Sequence, residues 1–309
     1  MASDRSMNFR GIFASTLCPI QVDGEIDESA LAAHLDEVTQ VDGIAGLLIN
    51  GHAGENFMLS RAEKTRVTEI AKEVCGARSI VVCGVNAEDS REAQCHVDDA
   101  AKAGADAVLI FPPFSWAISQ DSEVALAHHR TANARSEMPM FLYQAGVGAG
   151  AMAYSPGVLA ALVQLPNVVG VKEGSWETAA YEANLRLVGR IAPHVAMMAS
   201  GDEHLFACFA IGSEGSLVSL AAVAPELIVG LNRAIEAGDL AKAREWNARI
   251  YPLAKAIYGT APGGHATARL KACLKILGRL KSDTMRPPMG RLAASELAML
   301  TQALTDARL

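Results

Sequence analysis

The sequence predicts a (β/α)8 barrel of the TIM type with a C-terminal helical appendage, and three observations carry that reading. Short apolar runs alternate with longer Ala-, Leu- and Glu-rich stretches through eight successive units, the pattern of a parallel sheet with crossover helices. The short runs are apolar throughout, as expected of parallel strands covered on both faces. No GxGxxG fingerprint follows the first run, which weakens the competing open, doubly wound sheet.

The units follow in order. Gly11–Thr16 reads as the first strand, and Glu28–Thr39 as a helix with Asp27 placed to cap it. Ile44–Asn50 is a buried strand, and Arg61–Val74 a helix behind Ser60. Strand Ile80–Gly84 precedes helix Ser90–Ala103, and strand Ala107–Phe111 precedes helix Ser122–Arg135. Pro139–Tyr143 is a strand. Pro156–Gln164 is a helix, with Ser155 as cap and proline at its first position. Strand Val168–Lys172 leads to helix Glu177–Val188, and strand Val195–Ser200 to helix Glu203–Ala210. Gly215–Val218 is the eighth strand and Pro225–Ala237 its helix. Three more helical stretches follow: Asp239–Tyr258, Ala266–Leu277 and Ala293–Ala307. Gly263–Gly264 and Arg286–Pro288 punctuate them. Residues 1–238 are thus expected to form the barrel and 239–309 a helical region packed on it.

Composition narrows the function. The 309 residues are half hydrophobic and carry a net charge of −7. No Lys/Arg run makes a phosphate-tracking patch, so no nucleic-acid partner is expected. No window approaches the roughly 18 apolar residues of a membrane span. The stretch Leu217–Gly230 is interrupted by Ser219 and Pro225 and reads as strand and helix. Met1–Arg10 has no apolar core of a signal peptide, so a cytoplasmic location is expected. The six cysteines are scattered without ligand spacing, so reduced, buried thiols are expected.

In such a barrel the chemistry sits at the C-terminal ends of the strands. Three features fall there. Lys172 ends Val168-Val169-Gly170-Val171-Lys172-Glu173 and, with a side-chain period of two, points opposite to Glu173. Facing inward, its amine loses hydration and its pKa falls, which frees the neutral nucleophile that carbonyl addition requires. Facing outward, it is a solvated lysine paired with Glu173 or Glu177. Tyr143 ends the fifth strand, either as a proton relay or as a half-buried aromatic. Gly51-His52-Ala53-Gly54-Glu55 is either a simple turn or a loop whose backbone N–H groups hold a carboxylate, with the His52 side chain adding a donor or a charge. His128 and His129, adjacent on a helix, do not share a face and are not read as metal ligands. Asp202 and Glu203 read as capping residues of the next helix, with a metal carboxylate pair as the alternative.

Taken in order, these elements resemble the dihydrodipicolinate synthase/N-acetylneuraminate lyase family of class I aldolases over nearly the whole chain. The family loop Gly-Ser/Thr-Thr-Gly-Glu, which binds the pyruvate carboxylate, corresponds to Gly51–Glu55. The Tyr-Asn-x-Pro strand end corresponds to Tyr143-Gln144-Ala145-Gly146, and the Schiff-base motif Gly-x-Lys-Glu to Gly170–Glu173. Ser200–Glu203 looks like the family's Ser-Gly-Asp-Asp, and Gly215–Ser219 like the strand after it. The resemblance implies Lys172 and Tyr143 as catalytic residues. It implies Gly51, His52, Ala53, Phe114, Gly215 and Leu217 as substrate-binding residues.

The departures bear on the substrate. His52 and Ala53 replace the loop hydroxyls, one of which in the synthases relays protons between two tyrosines. The place of the second tyrosine, supplied in the synthases by a neighbouring subunit, looks like Phe114. The place of the synthases' substrate-binding arginine looks like Gly148. The expectation is therefore a Schiff-base lyase or aldolase acting on pyruvate or a related 2-oxo acid, distinct from the lysine-pathway synthase. It needs neither metal nor other cofactor, since the protonated imine does what a Lewis acid does elsewhere. The resemblance also implies a homo-oligomer, tetramer or dimer, with Phe114 as a candidate interface residue. A 2-keto-3-deoxy sugar acid dehydratase or deaminase uses the same imine. Three other classes stay open: a non-catalytic 2-oxo-acid-binding barrel, a nucleotide-dependent reductase and a metal-dependent lyase.

Overall fold

The apolar runs pair in parallel because each is followed by an amphipathic helix that returns the chain to the same end of the sheet. The computed structural model describes residues 7–118 and 120–309; the amino-terminal reading above falls largely on residues 1–6, which lie outside them. Eight strands close in sequence order: β1 (Gly11–Ser15), β2 (Ile44–Ile49), β3 (Ile80–Val85), β4 (Ala107–Ile110), β5 (Met140–Gln144), β6 (Val168–Glu173), β7 (Ala196–Ala199) and β8 (Gly215–Val218). β8 pairs with β1, so no edge is left open. The expected barrel is thereby present.

Around it run α1 (Glu28–Thr39), α2 (Arg61–Cys75), α3 (Ser90–Lys102), α4 (Ser122–Asn133), α5 (Pro156–Leu162), α6 (Thr178–Ile191), α7 (Leu205–Ile211) and α8 (Pro225–Glu236). The caps act as the sequence suggests. Asp27 accepts from the Ala30 N–H, and Ser155 from the Val158 N–H. Ser60 and Glu63 form a reciprocal capping box. Two helix starts differ from expectation. α6 begins at Thr178 with no side-chain cap from Glu177. α7 begins at Leu205 rather than Glu203, because the Asp202 carboxylate is taken up by the Leu220 N–H on the far side of β8. After α8 come α9 (Leu240–Ile257), α10 (Ala266–Ile276) and α11 (Ala294–Asp306). Among the described residues, no helix is long and apolar enough to cross a membrane. All six cysteines are free, and only Cys95 is not buried.

Side chains divide between two cores. Val168 and Val171 of β6, with Ile12, Leu47 and Leu142, pack outward against the helices. Phe13, Leu48, Leu109, Phe141, Met198 and Leu217 fill the barrel interior. A strict period of two cannot place Val168 and Val171 on one face. The register supplies the reason: Met140 pairs with Val168 and Phe141 with Gly170, so Val169 is an extra residue, a β-bulge. After it the parity of β6 is reversed, and Lys172 faces the interior.

The bulge is made possible by a missing side chain. A Cβ on Gly170 would lie 2.3 Å from the Phe141 ring. The same construction recurs half a barrel away, where Ala45 is the extra residue of β2 and a Cβ on Gly46 would lie 2.3 Å from Phe13. Phe13 and Phe141 meet inside the barrel with ring centroids 6.3 Å apart.

The C-terminal helices are tied to the barrel mouth by buried charge. Glu55, held at φ 57°, forms an ion pair with Lys271 of α10, and Lys271 also donates to the Thr284 carbonyl at 3.0 Å. Lys271 is fully buried.

Two stability predictions follow from this packing. Gly170→Ala should cost about 1–3 kcal/mol in denaturant unfolding, since the neighbouring ring has to move, and Phe141→Leu in the same chain should recover part of that loss. Glu55→Gln, which strands a buried ammonium, should cost about 3–5 kcal/mol. The paired change Glu55→Leu with Lys271→Met should cost less than the single change; a paired loss as large as the single one would mean that shape, not charge, holds this contact.

Candidate active site

The neighbouring strands β5 and β6 and, across the interior, β1 bring the reactive groups together, because each turns an inward position to the barrel axis at its C-terminal end. Tyr143 pairs in register with Lys172, and Ser15 closes the ring from β1. Lys172 is 8% exposed, its amine donates to Ser15 Oγ at 3.3 Å, and it lies 5.7 Å from the centroid of the Tyr143 ring. Burial lowers its pKa from 10.5 to about 8, with the charge of Asp202 pulling the other way. That displacement is about 3 kcal/mol of disfavoured ammonium.

Above the lysine opens a cavity of about 320 Å³. Its walls include Ser15, His52, Ala53, Tyr143 and Leu217 from the barrel. Trp176, Ser200, Asp202, Glu203 and Ser219 come from the loops after β6, β7 and β8, and Tyr258, Thr267 and Leu270 from the C-terminal helices.

The β2–α2 loop, which contributes His52 and Ala53 to the walls, carries unused backbone donors. The Glu55 and Asn56 N–H groups are taken by the His52 and Gly51 carbonyls, but among the described residues nothing accepts from the N–H of His52 or Ala53. The His52 ring stacks on Phe111 at 4.2 Å, with the Tyr143 ring edge-on at 5.4 Å. Burial, helped by the charge of Lys172, lowers the His52 pKa to about 3. The ring is therefore neutral near pH 7, so it offers a donor and not the charge that the sequence left open. Burial and the Glu173 carboxylate raise the Tyr143 phenol to about 12, which keeps it a proton donor. No described group hydrogen-bonds the Tyr143 hydroxyl, and it stands beside the cavity.

Of the expected site residues, Lys172, Tyr143, His52, Ala53 and Leu217 line one cavity. Gly51 lies behind the loop, its carbonyl engaged by Asn56. Phe114 is 47% exposed on a 3-10 turn outside the mouth, against Phe57 at 5.4 Å. Gly215 starts β8 opposite Gly11, at the closed end of the barrel, so the eighth strand meets the cavity through Leu217 and Ser219 instead. Gly148 lies on the 3-10 turn Val147–Met152 and is not among the cavity walls.

The capping role read for Asp202 is corrected. It is 3% exposed, accepts from the Leu220 N–H at 2.8 Å and faces the cavity. Ser15, Trp176, Ser219 and Tyr258 escaped the sequence reading. Trp176, at φ 62°, is the one with a signal: it follows the lysine motif in Gly174-Ser175-Trp176, where a bulky residue sits in strained backbone. His128 and His129 are buried in α4, bonded to Ser90 and Tyr154 respectively. Among the described residues no group of three potential ligands gathers around a metal position.

Comparison with known proteins places this geometry. The profile of the Dihydrodipicolinate synthetase family matches residues 8–307. The 4-hydroxy-tetrahydrodipicolinate synthase of Acidiphilium cryptum is 32% identical over 298 residues, 96% of this chain and 98% of that one. The enzyme of the same name from Bifidobacterium longum is 31% identical, covering 92% of this chain and 89% of its own. An uncharacterized DapA-like lyase of Halobacterium salinarum is 28% identical, with 97% and 94% covered. Among solved structures, YagE of Escherichia coli K12 in complex with pyruvate superposes with a TM-score of 0.88 at 23% identity, covering 97% of this chain and 99% of that one. A monomeric dihydrodipicolinate synthase variant gives 0.88 at 23%, with 97% of each chain covered. A barrel matched from end to end by these lyases, with its lysine at the end of β6, belongs to the dihydrodipicolinate synthetase family.

Proposed function

We propose that this protein is a Schiff-base lyase acting on pyruvate or a related 2-oxo acid, distinct from the lysine-pathway synthase. The observation that carries the reading is the desolvated Lys172 amine at the floor of the cavity. With a pKa near 8, about a tenth of these amines are neutral at pH 7, against about one in three thousand for an ordinary lysine.

The substrate carboxylate rests on the free N–H groups of His52 and Ala53, with the neutral His52 ring as a further donor. Lys172 adds to the ketone, and Tyr143 supplies and recovers the protons of the carbinolamine. The resulting iminium is an electron sink. Breaking C3–C4 gives the enamine of pyruvate and an aldehyde. Loss of a C4 substituent through the same imine makes a dehydratase or deaminase. That YagE was solved with pyruvate supports the choice of 2-oxo acid.

Three features turn the reading away from the synthase reaction. His52 and Ala53 carry no hydroxyl. Phe114 cannot relay a proton. Among the described walls of the cavity Lys172 is the one lysine or arginine, while Asp202 and Glu203 are carboxylates, so no arginine receives a second carboxylate. The exposed Phe57, Met58, Phe114 and Ile118 beside the mouth support association with another copy of the chain there.

Borohydride reduction in the presence of pyruvate, read by intact mass and peptide mapping, should leave a stable adduct on Lys172 and none in Lys172→Ala. An unmodified wild-type protein, with pyruvate and with longer 2-oxo acids, would defeat the lyase reading in favour of a binding-only barrel. Imine formation needs the neutral amine, so below about pH 8 its rate should rise roughly tenfold per pH step and then level off. An inflection near that of free lysine would mean that the amine is not desolvated in solution.

A further inference from the structure

The loop hydroxyl relay is missing, yet a second polar chain crosses the cavity on its other side. Ser219, just after β8, shares a 2.6 Å hydrogen bond with the Tyr258 hydroxyl at the end of α9. Tyr258 and Asp202 line the same cavity, where burial first and then the Asp202 charge raise the Tyr258 phenol well above its usual range. Asp202 Oδ1 is fixed by the Leu220 N–H at 2.8 Å. All three side chains line the cavity that holds Lys172. If Ser219 donates to Tyr258, the Tyr258 proton is left for the neighbouring carboxylate. The carboxylate is thereby held in place with lone pairs left for the cavity. A carboxylate this deeply buried is costly to keep without a compensating partner.

We propose that Asp202, positioned by Tyr258 and Ser219, is the base that takes and returns the carbon-bound proton of the imine. The proposal rests on the Schiff-base reading above and extends it. Asp202 removes a C3 proton from the Lys172–pyruvate iminium. The C3–H electron pair becomes the C2=C3 bond, and the C=N π pair moves onto nitrogen. The products are a neutral enamine and a neutral carboxylic acid. In reverse, the acid returns the proton to C3.

Burial raises the Asp202 carboxyl to about 6, against the Leu220 N–H, the charge of Lys172 and the Tyr258 hydroxyl, which favour the anion. The other titratable groups facing this space are Glu203 beside it, Tyr143 from β5 and His52 from the β2–α2 loop. The iminium carries the same charge as the ammonium that Asp202 faces near pH 6. The base should therefore lose its proton over the same range in the working complex.

The test is exchange of the pyruvate C3 protons in D2O, followed by NMR, with borohydride trapping run in parallel. Wild type should exchange with an acid limb near pH 6. Asp202→Asn should keep the Lys172 adduct, lose exchange by about 10²–10⁴-fold and lose the acid limb. Tyr258→Phe should keep the adduct and move the limb to higher pH, because a donor to the anion has gone. Exchange at the wild-type rate in Asp202→Asn, with the limb intact, overturns the proposal and leaves the proton to Tyr143. Should Asp202→Asn trap no pyruvate, Tyr258→Phe decides, and an unmoved limb overturns the proposal. A wild-type protein that forms no adduct removes the lyase reading itself, and the proposal with it.

Discussion

Everything at the mouth of this barrel depends on one extra residue in β6. With strict alternation, Val168, Gly170 and Lys172 would share a face, and Val168 packs against the helices. The lysine would then point outward between the strands and their helical cover. Val169 breaks the alternation, and the Phe141 ring occupies the space that a side chain at Gly170 would need. A one-residue shift turns every later side chain of a strand to the opposite face. Here it moves an amine from the helical layer to the floor of a cavity. The lowered pKa of that amine is thus a consequence of backbone register, maintained by two phenylalanines packed against two glycines.

The barrel alone does not complete the site. Its cavity is closed over by Tyr258, Thr267 and Leu270 from the segment after α8. The same segment reaches the β2–α2 loop through Lys271 and Glu55. A fully buried ion pair is a poor source of net stability, because desolvation offsets its attraction. It is a good source of position. Glu55 cannot leave Lys271 without stranding a charge, so the loop that carries the free N–H groups of His52 and Ala53 is held at one height above Lys172.

The sequence made the barrel legible because its strands are uniformly apolar and its helices carry readable caps at Asp27, Ser60 and Ser155. Lys172 and Tyr143 were legible for a related reason: a polar group closing an apolar strand stands at the functional face. The bulge was not legible, since an apolar run offers no alternation whose break could be seen. Asp202 was misjudged because an acid ahead of a helical stretch has the local signature of a cap, and only the fold brings the Leu220 N–H to it. Tyr258 had no local signal, because it ends a helix remote in sequence from every strand. Gly215 was placed at the site by likeness of a segment, whereas position along β8 puts only its C-terminal part at the mouth.

The charges of the cavity are arranged asymmetrically, and this bears on how an anion would lie in it. The free N–H groups of the β2–α2 loop stand across the barrel from Lys172, whereas Asp202 and Glu203 follow β7, the strand next to the lysine's own. His52, held neutral against Phe111, adds no charge that would blur the contrast. In a partly dry site such fields are stronger than in water. On the proposed reading, a 2-oxo acid binds with its carboxylate toward the loop and its carbonyl carbon over the lysine, which leaves C3 and whatever it carries toward the carboxylates. One field then serves two steps: it repels a second anion from the β7 side, and it sets a base beside the carbon whose proton becomes acidic once the imine has formed.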